Sequence, residues 1–277
     1  MSPAKKRARS YDSAKIRAAV LAQFGQVRDA VLTLTPEQLS APTRLGDWTV
    51  RELAAHFTMT VGAVARALEM PEPAKPELPL LEWPSGTATE SGAIAHGTRE
   101  LAASAQPSEL FARTTARIEE ALAEAPDTRL IPTFPQALGS VRAGETSTGA
   151  MTLADFLVTR TVELVVHTDD LNDALPGLDV PYDRQALAAC TRLLADALAV
   201  KAPGASTEVR IPPFAVVQCV EGPRHTRGTP PNVVETDPLT WIRLATGRVG
   251  WRAALDDAKV SASGERADLG KLLPLMG

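Results

Sequence analysis

The most constraining feature of this chain is one long segment, TLADFLVTRTVELVVHTDDLNDAL, running from Thr152 to Leu175 and stopping at Pro176-Gly177. Thr152 is placed to cap a helix there, with Asp155 three residues on. Leu153, Phe156, Leu157, Val162, Leu164, Val165 and Leu171 supply its apolar content. Such a helix sets Glu163 and His167 on one face, about 40° apart in projection and roughly 6 Å apart along the axis. At that reach two side chains can share one metal ion, and a third ligand has to come from a facing helix.

A second well-specified helix offers it. GDWTVRELAAHF carries Thr49 and Glu52 as a capping box, with Trp48 and Leu53 placed for a hydrophobic staple. His56 lies two turns in, near Leu53, Phe57 and Val64, and the helix is expected to run to about Met70. Two imidazoles and a carboxylate suit zinc or another divalent transition metal. Three protein ligands leave a coordination position open, which a catalytic metal keeps and a structural one does not. The plainer alternative is a Glu–His surface pair, or a core histidine with a single hydrogen-bond partner. Against it, His167 follows Leu164-Val165-Val166 and His56 sits among Ala, Leu and Phe. Two histidines turned into one bundle interior need partners there. His96, in SGAIAHGTRE, reads as a surface residue, and His225, in a polar loop, as a solvated one.

The rest of the first half is helical as well. Ile16, Val20, Phe24, Val27 and Val31 mark the buried face of a helix from Ser13 to about Leu34, and Thr35-Pro36-Glu37-Gln38 restarts a short one. The stretch from Met70 to Pro84 holds five prolines after Met70 and is a loop that could lie over the bundle. Helical patterns return at about 89–104 and 107–125, followed by an irregular connection over 126–150. The second half opens with a helix at about 183–200. TEVRIPP, FAVVQCV, NVVETD and KVSASG read as strands, DPLTWIRLATG as a helix opened by an Asp-Pro cap, and ADLGKLLP as a last helix. The outline is α+β. The divisions expected are a disordered basic tail over 1–12, a metal-binding helix bundle over 13–178 and a smaller α+β domain over 179–277.

With 277 residues, two domains is the expected organisation. The formal net charge of −4 does not suggest a nucleic-acid binder. The basic cluster Lys5, Lys6, Arg7 and Arg9 reads as a solvated tail; no apolar stretch follows to make it a signal peptide, and no segment is apolar enough for a membrane helix. Cys190 and Cys219 sit in apolar company and read as buried packing residues, which fits a reducing cytoplasm.

The residues then suggest a family. GDWTVRELAAHF resembles the Trp-x-Val-Arg-x-Leu-x-x-His segment of mycothiol-dependent maleylpyruvate isomerases, and RTVELVVHTDDL resembles the same family's Arg-x-x-Glu-x-x-x-His-x-x-Asp-Leu motif. Both belong to the wider DinB-like group of metal-binding four-helix bundles. DPLTWIRLATGR is similar to the family's sterol carrier protein-like second domain. The resemblance implies an N-terminal DinB-like four-helix bundle followed by a smaller α/β sterol carrier-like domain. It implies His56, Glu163 and His167 as metal ligands, Asp170 as either a support for them or a solvated helix-end acid, and Arg248 as the functional C-terminal arginine, with Arg243 and Arg252 as rivals. It further implies zinc or another divalent ion, mycothiol as cosubstrate, and a small-molecule substrate, in a cytoplasmic monomer or homodimer that binds neither nucleic acid nor membrane. The implied chemistry is a thiol that loses its proton at the metal and adds to an electrophilic carbon, then either leaves after a bond rotation (isomerase) or stays (S-transferase). Arg248 would hold a substrate carboxylate. Two other readings stay open: a carrier of small apolar ligands with a structural metal, and a hydrolase or lyase using bound water.

Overall fold

The protein is described here from a computed structural model covering residues 9–87, 91–133, 149–222 and 231–276. Helix α1 (Ser13–Val31) starts at Asp12, whose carboxylate accepts from the Lys15 N–H, and buries the expected face of Ile16, Val20, Phe24, Val27 and Val31. It stops short of Leu34 because Thr35 already serves the next element, α2 (Pro36–Leu39). There the Gln38 side chain accepts from the Thr35 N–H at 2.9 Å in a closed capping box. Helix α3 (Val50–Glu69) opens with Glu52 accepting from the Thr49 N–H at 2.8 Å, and it is buried on nearly every side. It is the central helix of the bundle. It packs on α5 (Ser91–Ser104), α6 (Pro107–Glu124) and α7 (Leu153–Ala174), while α7 packs on α1 in turn.

The proline segment does lie over the bundle. Its Glu77 and Leu78 N–H groups donate to the Ala150 carbonyl, and it ends in the short helix α4 (Trp83–Gly86), whose Trp83 is fully buried. The connection before α7, expected to be irregular, contains a two-residue antiparallel pair, β1 (Leu130–Ile131) with β2 (Met151–Thr152).

The second half begins with α8 (Arg184–Lys201), capped by Asp183. The four expected strands form one sheet: β3 (Thr207–Ile211), β4 (Ala215–Cys219), β5 (Val233–Thr236) and β6 (Val260–Ser263), in the order β4-β3-β5-β6. β3 runs antiparallel to β4 and parallel to β5, and β5 antiparallel to β6. Alternation fixes the faces: in β4, Ala215, Val217 and Cys219 are buried while Val216 points to solvent. Helix α9 (Pro238–Ala245) is capped by Asp237, and a short α10 (Trp251–Asp256), not read from the sequence, precedes β6. Helix α8 touches α1 and α7 on one side and β4 and α9 on the other, so one apolar core runs through both halves. The fold is α+β, a helical bundle followed by a smaller sheet-bearing part.

The expected last helix, ADLGKLLP, is absent; the segment is a series of turns. Its apolar residues are claimed individually instead. Leu269 and Leu275 are buried, and the N–H groups of Leu275 and Met276 both donate to the Ala245 carbonyl at the end of α9. A Cβ at Gly270 would stand 3.0 Å from the Trp251 ring, so a side chain there would require that ring to shift by a few tenths of an ångström. The cysteines are unpaired and buried, and burial pushes the Cys219 thiol up to about 11 and Cys190 higher still. No described helix is long and apolar enough to cross a membrane. Lys5, Lys6, Arg7 and His225 lie outside the described residues; Arg9 makes an ion pair with Asp196 on α8 at 2.9 Å.

Candidate metal centre

The packing of α3 on α7 brings His56, Glu163 and His167 together, with one ligand atom from each lying within 4.8 Å of the others. The Glu163 Oε2 is the shared corner, 3.5 Å from His56 Nε2 and 3.4 Å from His167 Nε2. The two imidazoles meet edge to face at 84°, their centroids 4.6 Å apart. A charge-assisted hydrogen bond would draw such atoms to about 2.7–2.9 Å. A tetrahedral ion with bonds of about 2.0–2.2 Å instead holds its ligand atoms roughly 3.4 Å from one another. The spacing around Glu163 is that of atoms facing a common centre, so the donor set fits a divalent ion in both chemistry and distance.

The surroundings orient the donors. His167 Nδ1 lies 2.8 Å from Asp170 Oδ2, so the neutral ring donates there and turns the Nε2 lone pair toward Glu163. Asp170 is fully buried, which removes the reading of a solvated helix-end acid. His56 is buried between the Trp48 ring, centroid 5.1 Å away, and the hydroxyls of Thr60 and Thr98, at 3.4 and 3.5 Å from its two nitrogens. Trp48, expected only as a staple, is thus a wall of the site. Burial pulls His56 below the ordinary histidine range, which favours the neutral ligand form. For His167 the same burial is outweighed by the bond to Asp170 and the nearby Glu163 carboxylate, and its pKa is raised. Burial pushes the Glu163 carboxyl up, but the two imidazoles beside it and Arg160 one turn before outweigh that and hold it well below the usual range.

Behind the centre stands a cluster of charges that the sequence did not reveal. Asp169 and Asp170 are both buried, and three arginines from distant segments converge on them. Arg44 reaches Asp169 at 2.5 Å and Asp170 at 2.6 Å; Arg243 reaches Asp169 at 2.6 Å; Arg248 reaches Asp170 at 2.8 Å. Of the three C-terminal arginines weighed from the sequence, only Arg248 lines the cleft that contains the triad. Arg243 is taken up by Asp169, and Arg252 stands exposed on α10, 3.7 Å from Asp256. His96 is on the surface, as read, beside Glu100 at 3.3 Å.

Two spaces adjoin the triad. An outer cleft of about 1300 Å³, its open mouth included, lies between the bundle and the C-terminal part and is lined by Trp48, Ile94, Val162, Val166, Arg248 and Met276 as well as by the triad. A smaller recess of about 510 Å³, its open mouth included, also touches His56 and Glu163 and shares Thr87 and Ile94 with the cleft; Trp83, Phe156 and Arg160 wall it. Arg160 was quoted in the sequence only as part of a motif, and nothing local in the sequence assigns it to a cavity.

Residues 20–172 match the family described as the mycothiol maleylpyruvate isomerase N-terminal domain, and residues 183–275 match the one described as a bacterial SCP ortholog. No protein of curated function matches the chain in sequence. Among solved structures, that of the mycothiol-dependent maleylpyruvate isomerase is similar with a TM-score of 0.57 at 15% identity, covering 93% of this chain and 95% of that one. A point mutant of that enzyme is similar with a TM-score of 0.56 at 14% identity and the same coverage. At such identity the likeness establishes a shared fold.

Proposed function

The chain belongs to the mycothiol maleylpyruvate isomerase family, and from that premise we propose that it is a zinc-dependent enzyme that uses mycothiol on a small electrophilic substrate, as an isomerase or S-transferase. His56, Glu163 and His167 hold the ion, on a bundle that we take to end near residue 178. The observation that carries this reading is the position of the Glu163 Oε2, 3.5 and 3.4 Å from two histidine nitrogens, with no arginine or lysine pairing with Glu163 among the described residues. A divalent ion bound there would favour the thiolate form of a thiol.

The chain's own groups do the rest. Asp170 keeps His167 in the tautomer that can ligate, and Arg248 keeps Asp170 ionised and in place through paired contacts at 3.1 and 2.8 Å. Arg248 also faces the outer cleft, where it is available to a substrate carboxylate. Val162, Val166 and Ile94 line that cleft, and an apolar wall keeps a reactive thiolate from being fully hydrated. A carrier of apolar ligands would call for a deep apolar cavity with no opening toward His56; the wide cleft opens on His56 instead.

The test is elemental analysis of the purified chain beside a His167→Ala variant, with mycothiol titrated into the cobalt-substituted protein. About one zinc per chain, lost in the variant, and a cobalt spectrum perturbed by the thiol are expected. No metal in either protein and no thiol effect after reconstitution would sink the proposal. Turnover in thiol-free buffer would remove mycothiol from it.

A further inference from the structure

Several buried threonines of the bundle spend their hydroxyls on their own helix. Thr58 donates to the Ala55 carbonyl at 2.8 Å, Thr159 to that of Phe156 at 2.6 Å, Thr161 to that of Val158 at 2.7 Å and Thr168 to that of Leu164 at 2.6 Å. Among the described residues, Thr60 and Thr98 make no such bond. They stand at the two nitrogens of His56 instead, Thr60 Oγ1 at 3.4 Å from Nε2 and Thr98 Oγ1 at 3.5 Å from Nδ1. Thr98 is the more unusual of the two. Helix α5 buries only Thr98 and Ala102, so a polar side chain occupies the middle of its contact with α3. A buried hydroxyl needs partners there that an apolar residue would not. It gives its proton to Met59 Sδ at 3.8 Å, which leaves its lone pairs for an N–H of His56. The other nitrogen agrees. A protonated Nε2 would be drawn to the Glu163 carboxylate at about 2.7–2.9 Å, but the two atoms stand 3.5 Å apart.

We propose that Thr98 is the positioning residue of His56: it accepts from Nδ1–H and fixes the tautomer whose Nε2 lone pair faces Glu163. It does for His56 what Asp170 does for His167, with a neutral hydroxyl in place of a carboxylate. Its role in holding an ion rests on the metal reading proposed above; the tautomer itself does not. Thr60 has the opposite role. With no ion bound, its hydroxyl donates to the Nε2 lone pair, and an ion has to displace it. Thr98 therefore supports metal binding and Thr60 competes with it. Helix α5 becomes part of the centre without supplying a ligand, and the same helix carries Ile94 and Ala95 in the wall of the outer cleft.

The test reads the imidazole nitrogens of the full, chelator-treated chain by NMR and then its zinc affinity by competition with a chromophoric chelator. The chain has four histidines, and a His56→Gln variant identifies the signals of that ring. In the metal-free protein His56 is expected to carry its proton on Nδ1. Zinc is expected to bind about tenfold more weakly to Thr98→Val and close to normally to Thr98→Ser. Thr60→Val removes a hydroxyl from the other side of the same ring and is expected to bind zinc at least as tightly as the unmutated protein. A mere packing defect would not give the two threonines opposite effects, and the tautomer of the unmutated protein needs no variant that could misfold. His56 protonated on Nε2, equal affinity in Thr98→Val, no rescue by Thr98→Ser, or an equal loss in Thr60→Val would each overturn the proposal. Failure of the unmutated chain to bind zinc would sink the metal reading, while the tautomer would still decide this one.

Discussion

Two regions of α7, about two turns apart, handle buried charge in opposite ways. Around Asp169 and Asp170 every carboxylate oxygen is met by a donor, from Arg44, Arg243, Arg248, Tyr182 or His167. Around Glu163 two histidine nitrogens stand 3.5 and 3.4 Å from one carboxylate oxygen, with no arginine or lysine at ion-pair distance among the described residues. The first region is complete as the chain folds and ties α7 to the loop before α3 and to the segment after α9. The second has its donors in position and lacks a charge. A fold can satisfy its own ions, as at Asp169 and Asp170, or can leave a set of acceptors that a bound ion completes.

The comparison can be broken by removing one member of each region. Asp170→Ala should have the largest effect, since it strands parts of Arg44 and Arg248 beside a buried hole; a loss of about 3–5 kcal/mol of stability is expected in denaturant unfolding. A milder Asp170→Asn should keep more of the fold but weaken zinc binding by about 10–100-fold, because it disturbs the partner of His167. If Asp170→Ala proves neutral, the aspartate cluster is not what fastens the two halves. Chelation should affect the other region alone. Far-UV circular dichroism should be unchanged, while the thermal midpoint loses only the binding contribution, about 2.7 kcal/mol where the free ion stood at a hundred times its dissociation constant. Unfolding on chelation would mean that the triad is not assembled without metal. The smallest change should follow Arg243→Gln. Its side chain is 40% exposed and Asp169 keeps Arg44, so about 1 kcal/mol or less is expected.

How much of this was legible in the sequence depends on distance along the chain. Glu163 and His167 are related by the period of a single helix, and His56 by the phase of another whose start is pinned by Thr49 and Glu52. The aspartate cluster was not legible: Arg44 and Asp170 are 126 residues apart, and Arg248 and Asp170 are 78 apart, with no spacing rule to connect them. Trp83 and Arg160 meet through the fold of a proline segment that has no period. The one helix read wrongly, ADLGKLLP, had a plausible pattern, but its leucines gain more by entering the core singly and its N–H groups by capping α9.

The sequence by itself determined the helices of the bundle, the order of strands and helix in the second half, and the residue types turned toward one face of α7, because those follow from capping and periodicity within a few turns of chain. Only the tertiary structure decided that α3 would bring His56 to Glu163 and His167, that three arginines would converge on Asp169 and Asp170, and that Arg160 would be buried in the wall of a recess beside Trp83 and Phe156. Those outcomes depend on which surfaces the helices bury against one another, and burial is what turns a charged side chain into either a satisfied pair or an open site.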